Sequence, residues 1–276
     1  MNTLFIGQKI IHLESADSTN SHLTRLSAEE KLPEGTVVVT QKQEQGRGQR
    51  GTIWESDEWK NLTLSILLHP TFLKPDEQFL LSKVVSLGVM DFIRLCVSPF
   101  LRFSDSGKET EKGRMGEAEA VLIKWPNDIY IGDKKVAGIL IENSVSGNFL
   151  SHSVVGIGIN VNQEIFSAEL RNPTSLKLIN RNDFDLEECL SQLCSCMESR
   201  YLQLMENHFK KINEDYLQNL YRFEEWANYK YKGETLKAKI SGITKIGKLV
   251  LFVGLLSEEK ENGEILECDF KEVEFY

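Results

Sequence analysis

Positive charge is in short supply in this chain. Lysine and arginine together number 32 against 41 aspartates and glutamates, giving a net charge of −9 over 276 residues. Broad binding of duplex DNA needs a dense phosphate-neutralising surface, and this balance argues against it. A local basic patch for one nucleotide stays compatible. Cysteine is also sparse. Cys96, Cys189, Cys194, Cys196 and Cys268 are odd in number and irregular in spacing, which points to free thiols in a reducing cytoplasm. Cys194 and Cys196 fall in a helical pattern, where residues two apart do not face each other, so they make a poor metal pair. No apolar run reaches the ~18 residues of a membrane span. The opening MNTLFIGQKIIHLES lacks the basic start and apolar core of a signal peptide. Internal repeats are absent, and so is any Ser–His or Cys–His nucleophile signature.

What is present is an intermixed run of strands and helices. IIHLE (10–14), TVVVT (36–40), LTLSILL (62–68) and AVLIK (120–124) read as strands. Ser18-Thr19-Asn20 offers N-caps for a helix ending near Glu30. Between Asp76 and Leu95 the apolar residues Phe79, Leu80, Val84, Leu87 and Leu95 recur at helical spacing. Residues 98–118 are rich in Ser, Gly and charge, and read as an exposed inserted loop. A hairpin over 128–142 turns at Gly132-Asp133, and SVVGIGINVN (153–162) is a further strand. Helices are expected over roughly 184–227. From Gly233 short alternating strands follow, with Gly242, Gly247, Gly254 and Gly263 as turn markers. The absence of a strict βαβ rhythm predicts an α+β fold, with a mixed, largely antiparallel sheet flanked by helices. The last 44 or so residues predict a small β-barrel packed on the main domain.

Several stretches carry candidate chemistry. The loop Gln45–Gly51 contains GRGQRG, whose glycines and arginines suit an anion cradle or, equally, a surface turn. It is neither a P-loop nor a dinucleotide fingerprint, because the required Gly-Lys-Ser/Thr and glycine spacing are missing. Trp54 just beyond it either stacks on a base or packs in the ordinary way. In KWPND, Asn127 and Asp128 leave the strand as a turn, and Asp128 either orients an amine or caps its own backbone. Lys134 and Lys135 flank the next bend, either solvated or aimed at an anion. In GIGIN, small residues permit close backbone approach, and Asn160 is within reach of a phosphate or its metal, unless the glycines simply kink the strand.

In this order, STN, Q-E-Q-GRGQRG-x-x-W, KWPND, KKVAGILIE and GIGINVN closely resemble the catalytic domain of biotin protein ligases (biotin–[acetyl-CoA-carboxylase] ligases). The resemblance runs from about Ser15 to Asn162 and more loosely to the end. It implies a synthetase-like catalytic domain over 1–230 and an SH3-like module over 231–276. It implies ATP-dependent transfer of biotin, through biotinyl-5′-AMP and with Mg²⁺, to a lysine of a biotin carboxyl carrier protein. By matching position, Ser18, Thr19, Asn20, Gln43 and Arg47 are expected to bind biotin, with backbone contacts from Gly46 and Gly48 and close approach at Gly138 and Gly156. Lys135 is expected to meet the biotin carboxylate and the α-phosphate. Arg50, Trp54 and Asn127 are expected at the nucleotide, Asn160 near ATP and its Mg²⁺, and Asp128 at the acceptor amine. The catalytic set is thus Lys135, Asp128 and Arg50. Lipoate–protein ligase or octanoyl transferase of the same fold is one alternative, and a non-catalytic biotin sensor another.

Two departures stand out. Relatives often read G-R-G-R-R-G where this chain has Gln49, which predicts weaker retention of biotinyl-AMP. Many also end in G-E-[IV]-S-L-R, whose arginine nears the ATP phosphates, whereas this chain ends Lys271-Glu272-Val273-Glu274-Phe275-Tyr276. Only 17 residues precede STN, too few for a DNA-binding winged helix. The resemblance therefore predicts a cytoplasmic, monofunctional ligase without DNA or membrane binding, as a monomer or homodimer.

Overall fold

The computed structural model describes residues 2–101, 120–254 and 263–275, without the side chains of Arg50 and 98–101. In chain order the elements begin β1 (Ile10–Ala16), α1 (Thr19–Glu29), β2 (Val37–Gln43), β3 (Leu62–Leu68) and α2 (Gln78–Leu101). Next come β4 (Val121–Lys124), β5 (Asp128–Ile131), β6 (Lys134–Ser146), β7 (Phe149–Ile159), α3 (Leu176–Asn180), α4 (Leu186–Met205) and α5 (Phe209–Gln218). The last strands are β8 (Trp226–Tyr231), β9 (Glu234–Ile243), β10 (Leu249–Gly254), β11 (Gly263–Cys268) and β12 (Val273–Phe275). Seven strands form one sheet in the order β1-β2-β3-β7-β6-β5-β4. Only β1 and β2 pair in parallel, so the sheet is mixed and largely antiparallel, as the sequence predicts. A second, antiparallel sheet has the order β11-β10-β9-β8-β12.

The core explains why α2 carries so few polar residues. Leu81, Val84, Val85, Leu87, Val89, Met90, Phe92 and Ile93 are all fully buried. A helix apolar on most sides needs cover on most sides. Here α4, α5 and strands β4–β6 supply it. The interior strand β3 is buried along its whole length, because α1 covers its other face through a smaller cluster of Leu23, Leu32, Val38, Leu67 and Val154.

Several boundaries differ from the sequence reading. The helix expected to end near Leu95 continues to Leu101, so the inserted loop does not begin at 98. The rest of that insertion, 102–119, lies outside the described residues. The strand expected at 153 begins at Phe149 and pairs with a β6 that runs on to Ser146. The polar run ENSVSGNFLSHS hides this extension because both faces of the hairpin tip are largely solvated. Helix α5 ends at Gln218, and the second sheet starts at Trp226, inside the expected helical region and ahead of position 231.

Candidate active site

The pocket follows from strand alternation. Successive side chains point to opposite faces, so in Gly-Ile-Gly-Ile (156–159) both isoleucines enter the core and both glycines face the other way. Cross-strand register places Lys124 opposite Asp128, Asp128 opposite Gly138, Gly138 opposite Gly158, and Gly158 opposite Thr63. One row across four hydrogen-bonded pairs thus holds two charged groups, a bare glycine floor and a hydroxyl. Gly156 and Ser65 form part of the next row on the same face.

Lys135 reaches that face through a bulge. Counting back from Gly138 in regular alternation would bring Val136 and Lys134 to the pocket side. The register instead shifts between Ile129 and Tyr130, so that Ala137 pairs with Ile129 but Lys135 pairs with Tyr130. Val136 and Ala137 are both fully buried in the core, and the extra residue resets the parity. Lys135 then turns into the pocket while Lys134 is exposed. The Lys135 Nζ lies 2.7 Å from Asp128 Oδ1 and 5.7 Å from the centre of the Trp54 ring. Its backbone is clamped from behind. The Lys135 N–H donates to the Asn172 carbonyl at 2.8 Å, and its own carbonyl accepts from the Thr174 N–H at 2.9 Å.

The loop 46–54 closes over the glycine floor. It is a small hairpin, with Trp54 N–H on the Gly46 carbonyl (3.0 Å), Gly48 N–H on the Thr52 carbonyl (2.7 Å), and a tight turn at Gln49–Gly51. A side chain at 46 would meet the Trp54 carbonyl at 2.0 Å, so glycine is required there. The Trp54 indole lies on the floor, and a Cβ at Gly158 would sit 2.3 Å from it. Among the described residues, the Trp54 Nε1 and Gln49 Oε1 are buried without a hydrogen-bond partner. Such groups are costly unless satisfied, which suits a surface built to receive a polar ligand. Arg47 ties the loop to β6 through Glu142 at 3.0 Å.

The start of α1 forms the far wall. Ser18, Thr19 and Asn20 are buried. Thr19 N–H donates to the Gln43 side-chain oxygen at 3.0 Å, and Asn20 Nδ2 donates to Glu142 at 2.8 Å. Ser65 Oγ lies 2.8 Å from Thr19 Oγ1 and 2.6 Å from Asn20 Oδ1. Asn127 donates from its side chain to the Ile139 carbonyl and accepts the Ile139 N–H at 3.0 Å, which locks the KWPND turn onto β6. The result is one cavity of ≈ 330 Å³.

Ser18, Thr19, Asn20, Gln43, Arg47, Gly48, Trp54, Asn127, Asp128, Lys135, Gly138 and Gly156 all line this cavity. Gly46 lies outside it, in the neighbouring grooves. Asn160 is not among its lining residues either. Its amide is buried and donates to the Thr174 carbonyl at 3.0 Å, so it braces the segment that clamps Lys135. The Arg50 side chain lies outside the described residues. Sequence reasoning did not single out Gly158, Glu142, Ser65, Lys124 or Arg171. The lysine of KWPND was in plain view, whereas Arg171 sits in the β7–α3 connection with no local motif to mark it. The last strand carries no arginine; one cation at its seam with the main sheet is Arg171, which donates to the Phe275 carbonyl at 3.0 Å. Burial lowers the Lys124 ammonium to about 8.

Among the described residues no group of three or more His, Cys, Asp or Glu side chains is placed to hold a metal, and no helix is long and apolar enough to cross a membrane. A magnesium ion would come with nucleotide phosphates, as its reluctance to shed water favours.

Residues 13–160 match the family model described as "Biotin/lipoate A/B protein ligase family". The chain is 32% identical to the bifunctional ligase/repressor BirA of Bacillus spizizenii, over 77% of this chain but only 59% of that protein. It is 32% identical to the biotin–[acetyl-CoA-carboxylase] ligase of Paracoccus denitrificans, over 54% of this chain and 53% of that one. The chain thus spans less than two thirds of the length of these relatives. The structure is similar to that of the Aquifex aeolicus biotin protein ligase in complex with biotin and ATP, at a TM-score of 0.72 and 26% identity, covering 98% of this chain and 99% of that one. The match over more than half the chain, on the segments that build the pocket, shows that this chain belongs to the biotin/lipoate A/B protein ligase family.

Proposed function

We propose that this chain is an ATP-dependent biotin–protein ligase that acts on a lysine of a biotin carboxyl carrier domain. The observation that carries the reading is the bulge that turns Lys135, and not Lys134, into the cavity lined by Trp54, the glycine floor and the start of α1. The Paracoccus denitrificans relative and the Aquifex aeolicus structure, both named for biotin, support this specificity over lipoate. Biotin lies against the Trp54 indole that covers the Gly138/Gly158 floor, with its ureido group toward Ser18, Thr19, Asn20 and Gln43. A carboxylate oxygen attacks the α-phosphorus of ATP, the bond from that phosphorus to the bridging oxygen breaks, and pyrophosphate leaves. Lys135 is a fixed cation where phosphorus gains negative charge, which is the kind of stabilisation that contributes most in such sites. Arg50 and Trp54 cover the adenylate. No enzyme nucleophile is required, and positioning supplies much of the remaining rate.

Asp128 serves the second step. In the unliganded site it holds Lys135 Nζ. When Lys135 turns to the phosphate, the carboxylate is released to orient the acceptor amine. That amine attacks the acyl carbon of the anhydride, gives up one proton to the Asp128 carboxylate, and AMP departs with the electron pair of the broken acyl–oxygen bond. The protein acts in the cytoplasm, where its five free cysteines stay reduced. The deciding experiment incubates the chain with ATP, Mg²⁺, a biotin carboxyl carrier domain and either biotin or lipoate. Biotin incorporation is expected. Lipoate incorporation alone would move the chain to the other branch of its family, and incorporation of neither would remove the ligase reading.

A further inference from the structure

The wall at the start of α1 is backed by a chain of hydrogen bonds whose direction follows from donor and acceptor chemistry. It begins at Glu142, whose carboxylate only accepts and which Arg47 pairs at 3.0 Å. Asn20 therefore turns its Nδ2 to Glu142, at 2.8 Å, and gives its second amide hydrogen to the Leu140 carbonyl at 3.3 Å. This points Asn20 Oδ1 into the space that a side chain at position 156 would take. A Cβ on Gly156 would lie 2.4 Å from that oxygen. Ser65 is fully buried and is not among the residues that line the cavity. Its Oγ stands 2.6 Å from Asn20 Oδ1 and 2.8 Å from Thr19 Oγ1. Oxygens this close hold a proton between them, and a hydroxyl hydrogen rotates to suit. An amide oxygen has no proton to give, so Ser65 donates to Asn20. With its single proton committed there, Ser65 accepts the proton of the second contact from Thr19. The Thr19 backbone N–H occupies Gln43 Oε1 at 3.0 Å, and the longer 3.4 Å approach of Thr19 Oγ1 to the same oxygen is left without a proton.

We propose that Ser65 is a positioning residue for ligand choice: by taking the Thr19 proton and passing its own to Asn20, it makes the Thr19 hydroxyl face the cavity as an acceptor only, so that the site selects a ring carrying an N–H donor. The assignment rests on the ligase reading, and it deepens that reading by naming what separates the two ligand classes of the biotin/lipoate family. The ureido ring of biotin brings N–H donors to Thr19. The dithiolane ring of lipoate brings two sulfurs and no donor, and it would leave a buried acceptor unpaired. A site built to bond a donor discriminates strongly against an analogue that lacks it, for that reason. Without the Ser65 oxygen the Thr19 proton loses its acceptor. The hydroxyl can then turn its hydrogen to the cavity, where it meets the ligand N–H as donor against donor. Ser65 touches no ligand in this arrangement and acts through Thr19.

Calorimetric titration with biotin tests it on the full chain, for wild type, Ser65→Ala, Thr19→Val and the double variant. Wild type is expected to bind. Ser65→Ala is expected to bind about tenfold more weakly, the scale of one hydrogen bond, with the KM for biotin raised and the KM for ATP unchanged. In the Thr19→Val background no hydroxyl remains to be oriented, and Ser65→Ala is expected to weaken binding by about twofold or less. A residue that merely packs would lower affinity by the same factor in both backgrounds. That outcome overturns the proposal, and so does equal affinity of wild type and Ser65→Ala. Should Ser65→Ala fail to fold, Ser65→Cys, which keeps a weaker donor and acceptor in place, carries the same cycle with a smaller loss. If the cycle is non-additive but no biotin reaches a carrier domain with ATP and Mg²⁺ present, the role of Ser65 stands and the ligase reading falls. If biotin is transferred and the cycle is additive, the ligase reading stands and the role of Ser65 falls.

Discussion

The two arms that close on the pocket are built to different standards of rigidity. The β5–β6 hairpin with Lys135 is hydrogen-bonded to β4 and β7 on its two sides, and its bend is clamped by Asn172 and Thr174. The arm at 46–54 is a hairpin closed mainly on itself. Among the described residues its ties to the rest include the half-exposed Arg47–Glu142 pair, the contact of Trp54 with the glycine floor and the approach of Lys135 Nζ to the Trp54 ring. An exposed pair of that kind is worth ~0–1 kcal/mol. A catalytic cation must be preorganised to be effective, whereas a cover must open for ligands to enter and leave. The contrast assigns rate to one arm and retention to the other.

The largest expected effect lies on the rigid arm. Lys135→Ala should reduce biotin-dependent pyrophosphate release by two to three orders of magnitude, about 3–4 kcal/mol of transition-state stabilisation. Lys134→Ala, one residue away on the exposed side, should stay within ~0.5 kcal/mol. Comparable losses in the two variants would erase the distinction that the bulge draws.

The support behind that arm comes next. Asn160→Ala should lower unfolding free energy by about 1–3 kcal/mol, because the buried Thr174 carbonyl loses its donor. Denaturant titration measures this, and steady-state kinetics should show a reduced kcat with little change in the KM for ATP. A raised KM for ATP at unchanged stability would instead return Asn160 to the nucleotide, as the sequence resemblance implies.

On the covering arm, Gly158→Ala places a methyl group where the indole lies. Displacing Trp54 should cost about 1–3 kcal/mol, as overpacking of a filled space does, and should shift its fluorescence. An unchanged spectrum together with unchanged biotin affinity would show that the indole does not depend on the bare floor. Smallest of all, Gln49→Arg should slow release of biotinyl-AMP several-fold, consistent with ~0.5–1.5 kcal/mol for an added hydrogen bond. Equal release rates would detach Gln49 from retention.

Much of the fold was legible because its signals are local. β3 was bounded to the residue, since LTLSILL, apolar but for Thr63 and Ser65, lies between Asn61 and His69-Pro70. The start of α1 was narrowed to Ser18-Thr19-Asn20, of which Ser18 is the N-cap position without a side-chain capping bond, and the β5–β6 turn followed from Gly132-Asp133. The extension of β6 and β7 past Glu142 was not legible, because a hairpin wet on both faces shows no alternation of polarity. The early start of the second sheet was missed because Trp226–Tyr231 alternates only weakly in burial.

Most of the candidate site was visible as motifs, since residues that meet a ligand through backbone glycines, turns and paired charges must occur in fixed local spacing. That determined which segments meet, and through their resemblance which chemistry is to be expected. Three things were decided only in three dimensions. The parity of Lys135 depends on a bulge, and a register shift against β5 leaves no mark in the order of residues in β6. The place of Asn160 depends on a carbonyl 14 residues away in an irregular segment. The direction of the hydrogen bonds behind the α1 wall depends on Thr19, Asn20, Ser65 and Glu142, which come from three separate elements. Contacts between distant segments are set by packing and register, and neither can be read from spacing alone.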